Sequence, residues 1–238
     1  MLFRVTAKQP ELWDAVTGDI CDLTEWRFEN GRTVVPLVFE PRQSWFIVFR
    51  KQAEGVESRG SSNFPKSQPL AEIAGPWLVS FDPKWGGPQQ IAFDKLDDWS
   101  KRPEDGIKYY SGIASYKKTI NFPQAVTLNP RSRIYLDLGS VKNVARVKLN
   151  GRDLGVVWTA PWRLDVTAAI RADANELEIE VANLWPNRLI GDAGLPKDKR
   201  RTVTNVQTYD RSASLLPSGL LGPVTLRAEA TLPAESTR

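Results

Sequence analysis

The chain has 238 residues, 41% of them hydrophobic, with a formal net charge of +4. That suffices for one large domain, or one domain and part of another, of ordinary globular composition; the charge forms no basic stripe, which argues against a nucleic-acid partner. Histidine is absent and cysteine occurs once, at Cys21, which excludes Ser-His-Asp and Cys-His catalysis, His-ligated zinc and an internal disulfide.

A hydrolase built from this chain would have to use carboxylates, or a less common Lys or Tyr base. No apolar run is long enough to span a membrane, so no membrane partner is expected. The opening stretch MLFRVTAKQPELWD lacks the basic and apolar regions of a signal peptide. It reads as a chain already inside a strand, as in a fragment or a late-starting reading frame.

Short alternating or β-branched runs are separated by Gly, Pro, Asn and Asp throughout, the pattern of an antiparallel sandwich or jelly roll. Residues 1–51 hold about four strands. The first is Leu2 to Thr6. Glu11 to Asp14 leads into a turn at Thr17-Gly18-Asp19. Thr24 to Glu29 meets Asn30-Gly31 and continues as Thr33 to Phe39, and Trp45 to Phe49 is a continuous apolar run suited to a buried strand. These strands are too few for a free-standing domain, so they predict the tail of a partial β-sandwich. An exposed edge here would favour a homodimer formed by strand pairing. Residues 52–70 are small, polar and Pro-rich and predict a linker.

Residues 71–230 form the second unit. Strands are predicted at Trp77 to Phe81, Gly112 to Ile120 (ending before Phe122-Pro123), Arg133 to Leu138, Trp162 to Val166, Glu176 to Val181 and Leu220 to Leu226, with a short helical turn at Leu96 to Ser100. Tyr109-Tyr110 is expected to begin a core strand. Ala145 to Trp158 is a hairpin around Asn150-Gly151, a pair that accepts the positive φ of a tight turn. The loops 81–88 and 183–192 carry the most distinctive composition.

The run YLDLGSVKNVARVKLNGRDLGVVWTAPWRLDVTAAIRADANELEIEVAN carries several motifs in order. It resembles the galactose-binding-like jelly roll of glycoside hydrolase family 2. GPWLVSFDPKWGGP, EDGIKYYSGIASYKKTI, NLWPNRLIGD and LLPSGLLGPV are similar to the C-terminal region of glycoside hydrolase family 106, the α-L-rhamnosidases. So is the front part, FRVTAKQPELWDAVTGDI through SWFIVFR. The resemblance implies an all-β fold, a galactose-binding-like jelly-roll β-sandwich preceded by a partial second β-sandwich. It also implies a bacterial polysaccharide-degrading origin, with the parent enzyme periplasmic or secreted. Those enzymes carry their catalytic carboxylates on an upstream (β/α)-barrel, of which nothing is legible here, so no catalytic residue is assigned.

Trp158, Trp162 and Trp185 sit near strand ends. Each is either a platform for the CH face of a sugar or a plug of the sandwich end. Asn187, Arg188 and Asp192 offer amide, guanidinium and carboxylate groups to vicinal hydroxyls or a uronic acid; alternatively Arg188 and Asp192 are a structural pair. Asp82 and Trp85, with Gly86 and Gly87, form a second candidate loop, where glycines either admit a ligand or merely permit turns. The neighbours Asp97-Asp98 and Glu104-Asp105 do not read as a catalytic pair, which needs two carboxyls held across a cleft. Cofactors are not expected. A structural calcium stays open, because such sandwiches often bind one, but no Asp-rich loop designates its site.

Three functions remain. The first is a non-catalytic region that binds plant or microbial polysaccharide or oligosaccharide. The second is a glycoside hydrolase active through a carboxylate pair. The third is a structural module that packs on a catalytic barrel domain and exposes an apolar patch for it.

Overall fold

The structure is a computed structural model that describes residues 1–55, 57–59, 62–122, 132–205 and 209–230. Pro123 and parts of the 52–70 stretch lie outside the described residues. The fold is all-β with a few short helical segments. The chain divides into two compact units, one holding Met1–Ser67 and the described chain from Glu229, the other Gln68–Ala228.

The first unit contains β1 (Leu2–Phe3), β2 (Glu11–Trp13), β3 (Ile20–Asp22), β4 (Glu25–Glu29), β5 (Arg32–Val34), β6 (Phe46–Val48) and β7 (Glu57–Arg59). They form two sheets, ordered β1-β5-β4-β7 and β3-β2-β6. Seven strands are more than the sequence suggests. The difference arises partly from β7, which pairs with β4 inside the stretch expected to be a linker. Asn30-Gly31 turns the β4–β5 hairpin with φ of 49° and 71°. Leu12, Leu23, Trp26 and Val35 make a small core. Trp26 is therefore a core residue. β6 differs from the buried strand that its apolar run suggests, because it borders its sheet and Phe46 is exposed.

Glu11 is fully buried and accepts from Trp13 Nε1 at 3.1 Å and from Arg50 Nε at 2.8 Å and Nη2 at 3.2 Å. The Arg50 hydrogen bonds hold its carboxyl below the usual carboxylate range, against the opposing pull of burial. A depressed acid stabilises the fold fully above its unfolded pKa, about 4.3. That contribution is lost as pH falls through the lower folded value. Melting temperature followed from pH 6 to pH 2 should therefore show an acid limb below about pH 4.3 that Glu11→Gln flattens; an unchanged limb in the variant would contradict this assignment.

The second unit contains β8 (Gln68–Glu72), β9 (Trp77–Ser80), β10 (Ile91–Phe93), α1 (Asp105–Lys108), β11 (Ile113–Asn121), β12 (Ser132–Asp137), β13 (Val141–Lys142), β14 (Val144–Leu149), β15 (Arg152–Val157), β16 (Arg163–Asp165), β17 (Ala174–Ala182), α2 (Pro186–Ala193), β18 (Gly219–Leu220) and β19 (Thr225–Ala230). One sheet runs β10-β9-β11-β17-β14-β15 and another β16-β12-β19-β8, with β13 paired to β18. β11 and β17 pair over nine residues. Strict alternation along β17 sends Leu177, Ile179 and Val181 inward and Glu176, Glu178 and Glu180 outward. The inward residues of both sheets join in one core, with Val147, Ile179, Leu136 and Leu226 among them. This is the two-layer packing of a jelly roll.

The Asn150-Gly151 turn adopts φ of 54° and 78°. Asn150 Nδ2 donates to Ala169 O and to Asn175 Oδ1, both at 2.8 Å, and Asn150 Oδ1 accepts from Glu176 N. The turn is thus tied to the start of β17. Tyr110 is buried as expected but follows α1, which Tyr109 caps, instead of starting a strand, and Trp99–Lys101 forms a 3-10 turn. The expected strand from Leu220 to Leu226 is divided into β18 and β19 around Gly222-Pro223, where Pro223 has no N–H for a ladder.

Trp99, Tyr116, Trp77 and Phe93 fill one region of this core without exposure. Trp99 Nε1 donates to the Tyr116 hydroxyl at 2.6 Å, and burial pushes that hydroxyl's pKa well up. Trp99→Phe removes a buried donor and leaves space behind it. The expected loss is about 2–4 kcal/mol from the broken bond and the cavity, read as a lower urea midpoint at unchanged slope; a midpoint within error of wild type would contradict it.

Candidate functional site

Strand register gathers the candidate loops at one end of the second unit. Ala182, the last residue of β17, lies opposite Ile113 and Val144, the first residues of β11 and β14. Val157 ends β15 opposite Ala145, and Ser80 ends β9 opposite Ser115. The segments that follow β9, β15 and β17 therefore leave the sheet at the same end. They carry Asp82 and Trp85, then Trp158, then Trp185. Trp162 joins them through its carbonyl, which accepts from Leu138 N at 2.8 Å.

The three tryptophans separate by environment. Trp158 is 60% exposed and Trp185 62% exposed. Trp162 is half-buried against the main core and acts as a plug. Trp85 is also exposed. Asp82 caps a 3-10 turn over Pro83–Trp85 by accepting from Lys84 N at 2.9 Å. Gly86 closes that turn at φ 86°, and a Cβ at Gly87 would meet Phe81 Cβ at 2.4 Å. The glycines here serve the turn and tight packing on Phe81.

The 183–192 stretch is not a loop. From Pro186 it is the helix α2, with Pro at the first position, where its missing N–H costs nothing. Its buried face sets Asn187, Arg188 and Asp192 beside Ile190 and Gly191. Asn187 is 1% exposed; its Nδ2 donates to Leu216 O at 2.7 Å and Ser218 Oγ at 3.0 Å, and its Oδ1 accepts from Leu216 N at 2.8 Å. Arg188 Nη2 donates to Trp85 O at 2.7 Å and Nη1 lies 3.7 Å from Asp192 Oδ1. Burial pushes the Arg188 guanidinium pKa down, and the Asp192 charge opposes that shift. Asp192 Oδ2 accepts from Arg201 N, Thr202 N and Thr202 Oγ1 at 3.0, 2.8 and 2.6 Å. Arg201 Nη1 reaches Lys84 O at 2.8 Å.

Asn187, Arg188 and Asp192 thus turn most of their polar groups to neighbouring main chain, while Arg188 Nε and Asp192 Oδ1 are buried without a hydrogen-bond partner. Their work is to staple α2 to the Pro83–Trp85 turn and to the 195–202 segment. The basic run 197–201 is drawn into this staple through Arg201. Asn183, which the sequence reading places only in a strand-end motif, closes the assembly. Its Oδ1 accepts from Gly112 N, and its Nδ2 donates to Tyr110 O at 2.8 Å.

One feature was not singled out from the sequence. Ile113, Ala182 and Val144 form a cross-strand row on the outer face of the six-stranded sheet. Ile113 is 60% exposed, and the row continues into Trp158 on one side and Leu184 and Trp185 beyond β17. The signal was present in the period-two alternation of β11, which places Ile113 on the same face as Ser115 and Lys117.

No catalytic pair is evident among the described residues. The buried carboxylates Glu11, Asp98 and Asp192 are all engaged; Asp98 Oδ1 accepts from Ser100 N and Ser218 N, both at 3.0 Å. Glu104 is bound by Arg102, which lowers its pKa. Among the described residues no three His, Cys, Asp or Glu side chains gather to hold a metal.

Residues 107–208 match the family described as glycosyl hydrolase 2 galactose-binding domain-like. The whole chain is similar to the solved structure of a rhamnosidase from Novosphingobium sp. PP1Y, with 40% identity and a TM-score of 0.87 over 96% of this chain and 21% of that one. It is also 40% identical over 182 residues to a protein of Formosa agariphila named "Putative beta-glucuronidase", covering 67% of this chain and 16% of that protein. The chain therefore spans about a fifth or less of the length of these relatives.

Proposed function

We propose that the chain is a non-catalytic, carbohydrate-binding accessory region of a glycoside hydrolase of the α-L-rhamnosidase kind. The observation that carries this reading is the pair Trp158 and Trp185. Both are more than half exposed at one end of a jelly roll, and the first turn of α2 holds Trp185 through Arg188 N and Leu189 N, which donate to its carbonyl. Large aromatics held open on a rigid scaffold suit the apolar CH faces of pyranose rings, and Trp85 extends the same surface. The similarity to a rhamnosidase over nearly the whole chain supports the hydrolase context. The reading predicts saturable heat in calorimetry against rhamnose, galactose, glucuronic acid or plant oligosaccharides; a folded chain silent to the entire panel would refute it.

A second reading is favoured by the outer-face row of Ile113, which is exposed, with the half-buried Val144 and Ala182. An apolar row of this kind also suits packing against a catalytic barrel domain of a longer protein. Under it, Ile113→Asp would abolish association with that domain and leave sugar binding untouched. In both readings the polysaccharide substrate, the periplasmic or secreted parent and any dimer formed through the first unit's strands belong to the proposal.

A further inference from the structure

The six-stranded sheet carries a second feature on its outer face, at the hairpin end, away from Trp158 and Trp185. A concavity of about 640 Å3 is lined there by residues of β9, β11, β14 and β17 and by Gly151. Leu78, Lys117, Glu178 and Lys148 lie side by side across four strands, with Glu176 in the next row. Leu78 is exposed and apolar. Glu178 Oε1 accepts from Ser115 Oγ at 2.9 Å and lies 3.6 Å from Lys117 Nζ. Lys148 Nζ donates to Glu180 Oε1 at 3.1 Å.

We infer that this groove is a second carbohydrate subsite, and that its ligand is a neutral saccharide chain continuous with the sugar on the tryptophans. The inference rests on the carbohydrate-binding reading. Lys117, Lys118 and Lys148 around the groove are matched in number by Glu176, Glu178 and Glu180, with Lys117 paired to Glu178, Lys148 to Glu180 and Lys118 donating to Pro76 O. That arrangement offers an anion no net positive charge, and offers vicinal hydroxyls both donors and acceptors. Leu78 supplies an apolar floor for a ring face. Ala182 and Glu178 are four residues apart on β17, about 13 Å at strand rise. A chain lying along β17 therefore passes from the Trp158 platform into the groove.

The test is calorimetry of the intact chain with neutral galacto-, manno- and rhamno-oligosaccharides graded from monosaccharide to hexasaccharide, with oligogalacturonates as the anionic comparison. For whichever neutral series binds, affinity should rise about tenfold from disaccharide to hexasaccharide. Lys148→Ala and Glu178→Gln, both at partly exposed positions, should each flatten that rise while monosaccharide binding stays at the wild-type level. Affinity independent of length, a rise that survives both variants, or a preference for the anionic series would overturn the inference and leave the proposed function standing. Absence of binding to every sugar, with or without the groove variants, would overturn both.

Discussion

Asp192→Ala is expected to lower stability by about 3–5 kcal/mol, because it strands a buried charge. Arg188 is 7% exposed at its side chain and faces Asp192 at 3.7 Å. Without the carboxylate, its guanidinium keeps one bond to Trp85 O but loses its counter-charge. Three donors from Arg201 and Thr202 also lose their acceptor. A loss of this size is a large part of the net stability of an ordinary domain. Limited proteolysis should cut the 195–202 segment faster, and the urea midpoint should fall. Arg188→Met combined with Asp192→Leu should recover much of the loss, since it removes both charges together. Native stability in Asp192→Ala, with sugar binding abolished, would instead make Asp192 a ligand-contacting group and reverse the assignment made above.

The second large effect separates the tryptophans. Trp158→Ala and Trp185→Ala should each weaken sugar binding about tenfold, the scale of one aromatic contact, with little change in melting temperature because both rings are open to water. Trp162→Ala should do the reverse. Its half-buried ring packs on the core, so truncation is expected to cost about 2–3 kcal/mol, below the 3–5 of a fully buried aromatic, and to alter binding only through the fold. Calorimetry and thermal melts on the three variants check this pattern. A Trp162 variant that melts like wild type and fails to bind would contradict it.

Strand alternation made the jelly roll legible: Leu177, Ile179 and Val181 against Glu176, Glu178 and Glu180 leave one reading of β17, and Asn150-Gly151 leaves one reading of its neighbouring hairpin. The helix α2 was not legible, for a physical reason. Its buried face is Asn187, Arg188, Ile190, Gly191 and Asp192, so Ile190 stands without the repeated apolar residues of a 3.6-residue stripe that announces a helix. Polar residues in a Trp- and Pro-containing stretch read as ligand-facing, and their partners within the fold, the main chains of Leu216, Trp85 and Thr202, are distant in sequence. Trp158 and Trp162 illustrate a further limit. Four residues apart and chemically identical, they differ because one follows the edge strand β15 in the open and the other, held to Leu138 N just before β16, packs against the core. Only the register settles which side is which. In the first unit, β7 escaped notice because Glu57–Arg59 is polar and draws its place from pairing with β4 alone.

The central claim is that the exposed tryptophans form a sugar platform. The most direct measurement is the heat of titrating the intact chain with neutral plant oligosaccharides, run in parallel on a Trp158→Ala, Trp185→Ala double variant of unchanged melting temperature. The account predicts a saturable wild-type isotherm that the double variant lacks. Equal isotherms for the two proteins, or none for either, would contradict it.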